Sequence, residues 1–199
     1  RLNKNFKNKI KITKEIPLIG KVARYDPQKD HLNLLNALSL IRSKNINFFC
    51  VLVGFNINKK NFSLMSDIKR LKLTNHIKLL GQNNDISEVM NGLDLHVLSS
   101  SYGEGFPNVV AESMACGTPC VVTDVGDSAL VVGKTGWVVP PNSSSKLARA
   151  IENALCEKGT IKWNKRCKKV RLRIKQNFSI GNMIKLYDKL WIKVYKSNY

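Results

Sequence analysis

Acid is what this chain has least of. Its 199 residues hold 14 Asp and Glu against 33 Lys and Arg, a formal charge of +19. That balance disfavours cationic partners and favours polyanions: a nucleic acid, an anionic lipid face or a diphosphate ligand. Aromatic residues make up only 8% and do not interleave with the charges. That removes the stacking platform that single-stranded nucleic acid needs, so nucleic acid is the least favoured of the three. The five cysteines, Cys50, Cys116, Cys120, Cys156 and Cys167, are odd in number and contain no Cys-x2-Cys pair. Neither a disulfide framework nor a zinc site is indicated, and reduced thiols in a cytoplasmic setting are the plain expectation. No Asp-x-Asp metal motif, no internal repeat and no low-complexity tract occurs. No apolar run approaches the roughly 18 residues that span a bilayer, and no leader is visible. The three histidines, His31, His76 and His96, are scattered and mark no nucleophile pattern.

What is present is a globular chain, 43% hydrophobic, in which apolar runs alternate with helical patterns. Strands are predicted at 16–23, 46–53, 76–81, 93–98, 119–123 and 136–141. Helices are predicted at 30–44, 58–73, 85–91, 108–116 and 143–156, with a basic helix after 158 and a final helix from Ser179. Alternation of this kind predicts an α/β fold with a doubly wound, Rossmann-like parallel sheet. Residues 1–15 are polar and without a clear period and read as a linker. Residues 16–177 read as the main domain, and 178–199 as a closing helix with Ile180, Ile184, Tyr187, Trp191 and Val194 near one face. In the helix from Asp30, residues Leu32, Leu35, Leu38 and Ile41 are expected to face inward.

One stretch organises the rest: Ser99-Ser100-Ser101-Tyr102-Gly103-Glu104-Gly105-Phe106-Pro107-Asn108-Val109-Val110-Ala111-Glu112-Ser113-Met114-Ala115-Cys116-Gly117-Thr118-Pro119. A buried strand leads in. A Gly-rich loop brackets Glu104, and Pro107 suits a helix start, where a missing N–H has no intrahelical partner. Gly117 suits the helix end, and Pro119 blocks continuation. The free N–H groups of such a helix start attract phosphates and other electron-rich oxygens. Upstream, Arg24 ends the first strand and Lys29 opens the next helix. The ends of parallel strands are where ligands bind. A planar guanidinium fork beside a point charge suits a diphosphate.

The Glu104-x7-Glu112 pattern, with its glycines, the Phe-Pro pair and Ala-x-Gly-x-Pro in register, resembles the signature of glycosyltransferase family 4. These are retaining enzymes of the GT-B fold that use nucleotide-sugar donors. The resemblance covers nearly the whole chain, but only the C-terminal, donor-binding half of such an enzyme. It implies that Arg24, Lys29 and Glu104 are catalytic. It also implies that Gly54, Ile77, Gly105, Phe106, Pro107, Asn108, Val109 and Glu112 bind the donor. Glu104 would face the sugar, Glu112 would accept hydrogen bonds from the ribose hydroxyls, and backbone groups near Ile77 would read the base. A UDP- or GDP-linked donor is implied, with no metal and no other cofactor. The N-terminal acceptor domain would be the missing partner, and the chain alone would bind donor without transferring sugar. A saccharide or lipid-linked acceptor in cell-surface polysaccharide or lipopolysaccharide synthesis follows from the family. The turn at Gly54-Phe55-Asn56 lacks the family's second glycine, and Asp124-Val125-Gly126-Asp127 stands where the family usually has two adjacent glycines.

Nine cations between Lys158 and Lys175, with no acid among them, make a solvated helix face or a contact with the anionic inner face of a membrane. The latter is worth about 1 kcal/mol per cation near the surface. Two other functions fit less well: an isomerase resembling a nucleotide-sugar 2-epimerase, and a non-catalytic basic protein that binds polyanions.

Overall fold

The computed structural model describes residues 3–13 and 15–197. In chain order the elements are α1 (Asn3–Lys9), β1 (Leu18–Val22), α2 (His31–Ser43), β2 (Phe49–Val53), α3 (Phe62–Arg70) and β3 (Ile77–Gly81). They continue with α4 (Ile86–Gly92), β4 (Leu95–Leu98), α5 (Asn108–Ala115), β5 (Cys120–Thr123), α6 (Ser128–Val132), β6 (Trp137–Val139), α7 (Ser144–Glu157), α8 (Ile161–Asn177) and α9 (Ile180–Ser197).

The strands form one parallel sheet in the order β3-β2-β1-β4-β5-β6. Strands β1, β4 and β5 are buried at every position, as strands covered by helices on both faces must be. The expected Rossmann-like α/β fold is therefore observed. The strand order reverses between β1 and β4, and a crevice opens there beyond the C-terminal strand ends. On one face α2, α3 and α7 cover the sheet through Leu34, Leu38, Ile41, Leu64, Ile68 and Ile151. On the other, α1 and α4 sit beside α5, α6 and α8.

Several local expectations change. The segment expected to be a linker carries α1 within its described part; Arg1, Leu2 and Lys14 lie outside the described residues. Phe6 is 2% exposed and Ile10 and Ile12 are buried. An added Cβ on Gly92 of α4 would stand 2.2 Å from the Phe6 ring, so the helices are in direct contact. The Lys7 ammonium is 2.7 Å from Asp94. Two apolar residues at i and i+4, Phe6 and Ile10, make the segment part of the core although its composition is polar. In α2, Leu32 is exposed, and Leu34 and Ala37 point inward instead. Helix α6 was not foreseen; Val131 and Val132 bury it. In α9, Ile180, Ile184, Tyr187, Trp191 and Val194 are all exposed. Packing is found where the helix begins, with the Phe178 ring 5.5 Å from that of Phe106. No helix among the described residues is long and apolar enough to cross a membrane.

Candidate functional site

Strand β1 delivers Arg24 to the sheet's C-terminal edge. Its Nε donates to Asp26 Oδ2 at 3.1 Å and its Nη2 to Gln28 Oε1 at 3.3 Å. These bonds orient a guanidinium that remains largely in solvent, and beside it the Asp26 carboxyl is held below the usual range. Pro27 opens a 3-10 turn, Pro27–Lys29, capped by Asp26, whose side chain accepts from the Gln28 amide. Asp30 follows at φ 42° and caps α2 through the Asn33 amide at 3.0 Å. This double punctuation, Asp-Pro and then a left-handed Asp, turns the Lys29 side chain inward.

There it meets Glu104. Lys29 Nζ donates to Glu104 Oε1 at 2.6 Å, and Ser100 Oγ donates to the same oxygen at 2.5 Å. Both partners are shielded, with side-chain exposures of 17% and 8%. Glu104 Oε2 accepts no hydrogen bond from the described residues. An ammonium has three donors, so Lys29 keeps N–H groups for an arriving anion while Glu104 neutralises part of its charge.

The two loops that carry this pair are sewn together. Ser101 N–H donates to Gln28 O at 2.9 Å, and Gln28 Nε2 donates to Gly103 O at 2.6 Å. From below, Thr123 Oγ1 donates to Ser100 O at 2.6 Å. Beyond β5, the Asp127 amide donates to Gly105 O at 3.1 Å. Gly126 (φ +54°) passes so close that an added Cβ would fall 1.9 Å from Glu104 O. One glycine suffices for this close approach, which is where the usual pair is absent.

The loop ends at α5. Gly105 is open, with nothing within 4 Å of where a Cβ would stand. Phe106 is partly exposed and Pro107 is the buried N-cap. No side chain caps this terminus, so the amides of Asn108 and Val109 face the crevice without intrahelical partners. One turn on, Glu112 is exposed, and its side chain forms no ion pair or hydrogen bond among the described residues. It lines a groove of about 490 Å³ with Asn84, Asp85, Ile86, Ser87 and Met90. The groove runs between α4 and α5, from the residues that follow β3 to Ala115 and Cys116 at the end of α5.

Gly54 also stands at this edge. Its φ is +147°, and an added Cβ would come 2.2 Å from Ala23 O, so no side chain fits beside the approach to Arg24. With Phe55, Asn56, Asn58, Lys60, Gly81 and Gln82 it lines a groove of about 310 Å³. Ile77 is not there. It opens β3, pairs with Cys50 at the start of β2, and so lies at the opposite, N-terminal edge. Because parallel strands present ligands at their C-terminal ends, Gly81 and Gln82 occupy the place expected for Ile77.

The structure thus gathers Arg24, Lys29, Glu104, Gly105 and the amides after Pro107, flanked by Gly54 and Glu112. Residues that the sequence did not mark include Gln28 and Ser100; the signal for Ser100 was its place two residues past the end of β4. Of the basic residues of α8, Arg166 pairs with Glu157 at 2.8 Å and lies over Trp137 at 4.2 Å. Arg173 donates to the carbonyls of Val131 and Leu130. These two are structural, whereas Lys165, Lys168, Lys169 and Lys175 stay in solvent.

Residues 3–177 match the profile of the family described as "Glycosyl transferases group 1". The UDP-Gal:alpha-D-GlcNAc-diphosphoundecaprenol alpha-1,3-galactosyltransferase of Escherichia coli is 29% identical over 178 residues, covering 85% of this chain and 43% of that protein. A crystal structure of a glycosyltransferase from Rickettsia africae superposes with a TM-score of 0.84 at 26% identity, over 96% of this chain and 51% of that one. The C-terminal domain of a group 1 glycosyl transferase, LpcC from Francisella tularensis, shares the fold at a TM-score of 0.72 and 18% identity, covering 94% of that domain. The chain spans about half, or less, of the full-length proteins it matches here.

Proposed function

Because the chain belongs to the glycosyl transferases group 1 family, we propose that it is the donor-binding half of a retaining glycosyltransferase and that its crevice holds a nucleotide sugar. The observation that carries this is the pairing of Lys29 with Glu104 beside Arg24, at an uncapped helix start. The diphosphate would lie against Arg24, the free N–H groups of Lys29 and the amides of Asn108 and Val109. As the sugar–diphosphate bond breaks, charge builds on the leaving phosphate. The two cations then bind the transition state more tightly than the ground state. In this proposal they do the electrostatic work a metal does elsewhere, and no metal or other cofactor is assigned.

Glu104 Oε2, free of partners, would face the donor sugar. Glu112 would accept from the ribose hydroxyls, and the groove at Gly54, Gly81 and Gln82 would take the base. The E. coli relative carries a UDP-linked donor in its name, which supports a nucleotide sugar here. The acceptor, a saccharide or a lipid-linked sugar, would dock against an N-terminal domain across the crevice. Attraction to an anionic membrane would fall to the solvent-facing lysines of α8. A thermal-shift panel of UDP-, GDP- and ADP-sugars tests the donor assignment: one of them should stabilise the fold, and no response to any of them would contradict it.

A further inference from the structure

Lys21 is the fourth of the five residues of β1 and is wholly buried. A central parallel strand ordinarily carries apolar residues there, because an ammonium removed from water is costly unless it is paired. This one has partners from two different loops. Its Nζ donates to the backbone carbonyl of Lys29 and, at 2.5 Å, to Ser99 Oγ. Ser99, also fully buried, passes the contact on by donating to Asp30 O at 2.8 Å. Lys21 therefore sits at the strand-order reversal and binds both of its sides. One is the turn that carries the Lys29 side chain, and the other is the end of β4 that carries Ser100 and Glu104.

We propose that Lys21 is a positioning residue of the candidate site: it clamps the Lys29 backbone to the end of β4 and so sets where the Lys29 side chain meets Glu104. The inference rests on the donor-site reading for its functional meaning and on geometry alone for the clamp. The titratable groups facing Lys21 are Asp30 and Glu104, which favour its charge, Lys29, which opposes it, and Cys50. His31 and His96 stand near enough to feel it and are themselves driven neutral by burial. The balance leaves the ammonium lowered to about 7, chiefly by burial. The clamp is therefore at full strength below neutrality and weakens above it, when one N–H donor and the charge are lost.

Two readouts test the clamp, one of which needs no ligand. In Lys21→Met, contacts between the Lys29 side chain and Glu104, followed by NMR cross-peaks in the ligand-free protein, should be lost, because the Lys29 backbone is no longer held to the end of β4. Affinity for UDP and GDP, measured by calorimetry from about pH 6 to pH 8.5, should fall about tenfold at the acidic end. The decline of wild-type affinity across neutrality should also flatten. Should Lys21→Met fail to fold, Ser99→Ala, which removes one partner and no charge, should move both readouts the same way by less. A folded variant with wild-type Lys29–Glu104 contacts and an unchanged affinity profile overturns the proposal. If the wild type binds neither nucleotide while the Lys29–Glu104 contacts are still lost in the variant, the clamp stands and the donor reading falls.

Discussion

Lys29 Nζ lies 2.6 Å from Glu104 Oε1, joining residues 75 apart in sequence through a contact that is mostly shielded from water. Each side of the pair restrains the other before any ligand arrives, and this makes their separate removal informative. Lys29→Ala and Arg24→Ala should each weaken nucleoside diphosphate binding about tenfold, since charge-assisted hydrogen bonds contribute about 1.5–3 kcal/mol. Glu104→Gln should act in the opposite direction on inorganic pyrophosphate, which then has all of the Lys29 charge. Calorimetry on the three variants checks this; tighter pyrophosphate binding after loss of Lys29 would contradict it.

Glu112 stands apart from the cations, in the groove beside Asn84 and Asp85. Glu112→Gln should therefore weaken binding of a nucleotide more than that of pyrophosphate, which has no ribose. Equal losses for both would mean that Glu112 acts through its charge alone.

The glycine beneath the loop is a steric requirement. Gly126→Ala would place a methyl 1.9 Å from Glu104 O at a positive φ. Left-handed strain of this kind costs on the order of 1–3 kcal/mol, and the clash displaces the Glu104 loop as well. Denaturant unfolding should show the loss of stability, and nucleotide affinity should fall with it. Wild-type affinity in a folded Gly126→Ala protein would mean that the loop's position is not set from below.

Phe6 measures how far the N-terminal segment belongs to the core. Phe6→Ala removes a ring packed on Gly92 and should cost about 3–5 kcal/mol, read as a drop in the urea midpoint. A change near zero would restore the linker reading.

Stability should depend on pH in two windows, with the same sign in both. Lys21 releases its proton near pH 7 in the folded chain and near 10.5 in the unfolded one. Between those values the unfolded chain holds the extra proton. The Lys21 contribution to stability therefore rises with pH there, by up to about 1.4 kcal/mol per pH unit. The difference between wild type and Lys21→Met in urea unfolding across that window isolates it. Below about pH 6.5 the buried, neutral His31 and His96 act in the same direction. The unfolded chain gains protons that the folded one refuses, and stability falls with acid. A wild-type protein equally stable at pH 5 and pH 7 would contradict this.

The alternation of elements and the Glu104 loop were legible because they rest on local signals: apolar runs, Pro107 at a helix start, and Gly117 past a helix end. Arg24 and Lys29 were legible because a strand end followed by a helix start fixes an edge. What escaped depends on which distant backbone a residue meets. Lys21 reads as an ordinary surface lysine until the Lys29 carbonyl is seen above it, and Gly126 reads as a turn until Glu104 is found across it. Ile77 was misplaced because its likeness to the family fixed a strand without fixing which end of it reaches the crevice. Phe6 was passed over because Lys and Asn surround it, although one ring in contact with one glycine is enough to bury a helix.

The most direct test of the account is calorimetric titration of this chain with UDP-, GDP- and ADP-sugars, beside the Lys29→Ala variant. The account predicts saturable one-to-one binding of at least one of them by the wild type, weakened about tenfold in the variant. No binding of any of the three, or binding that Lys29→Ala leaves unchanged, would contradict it.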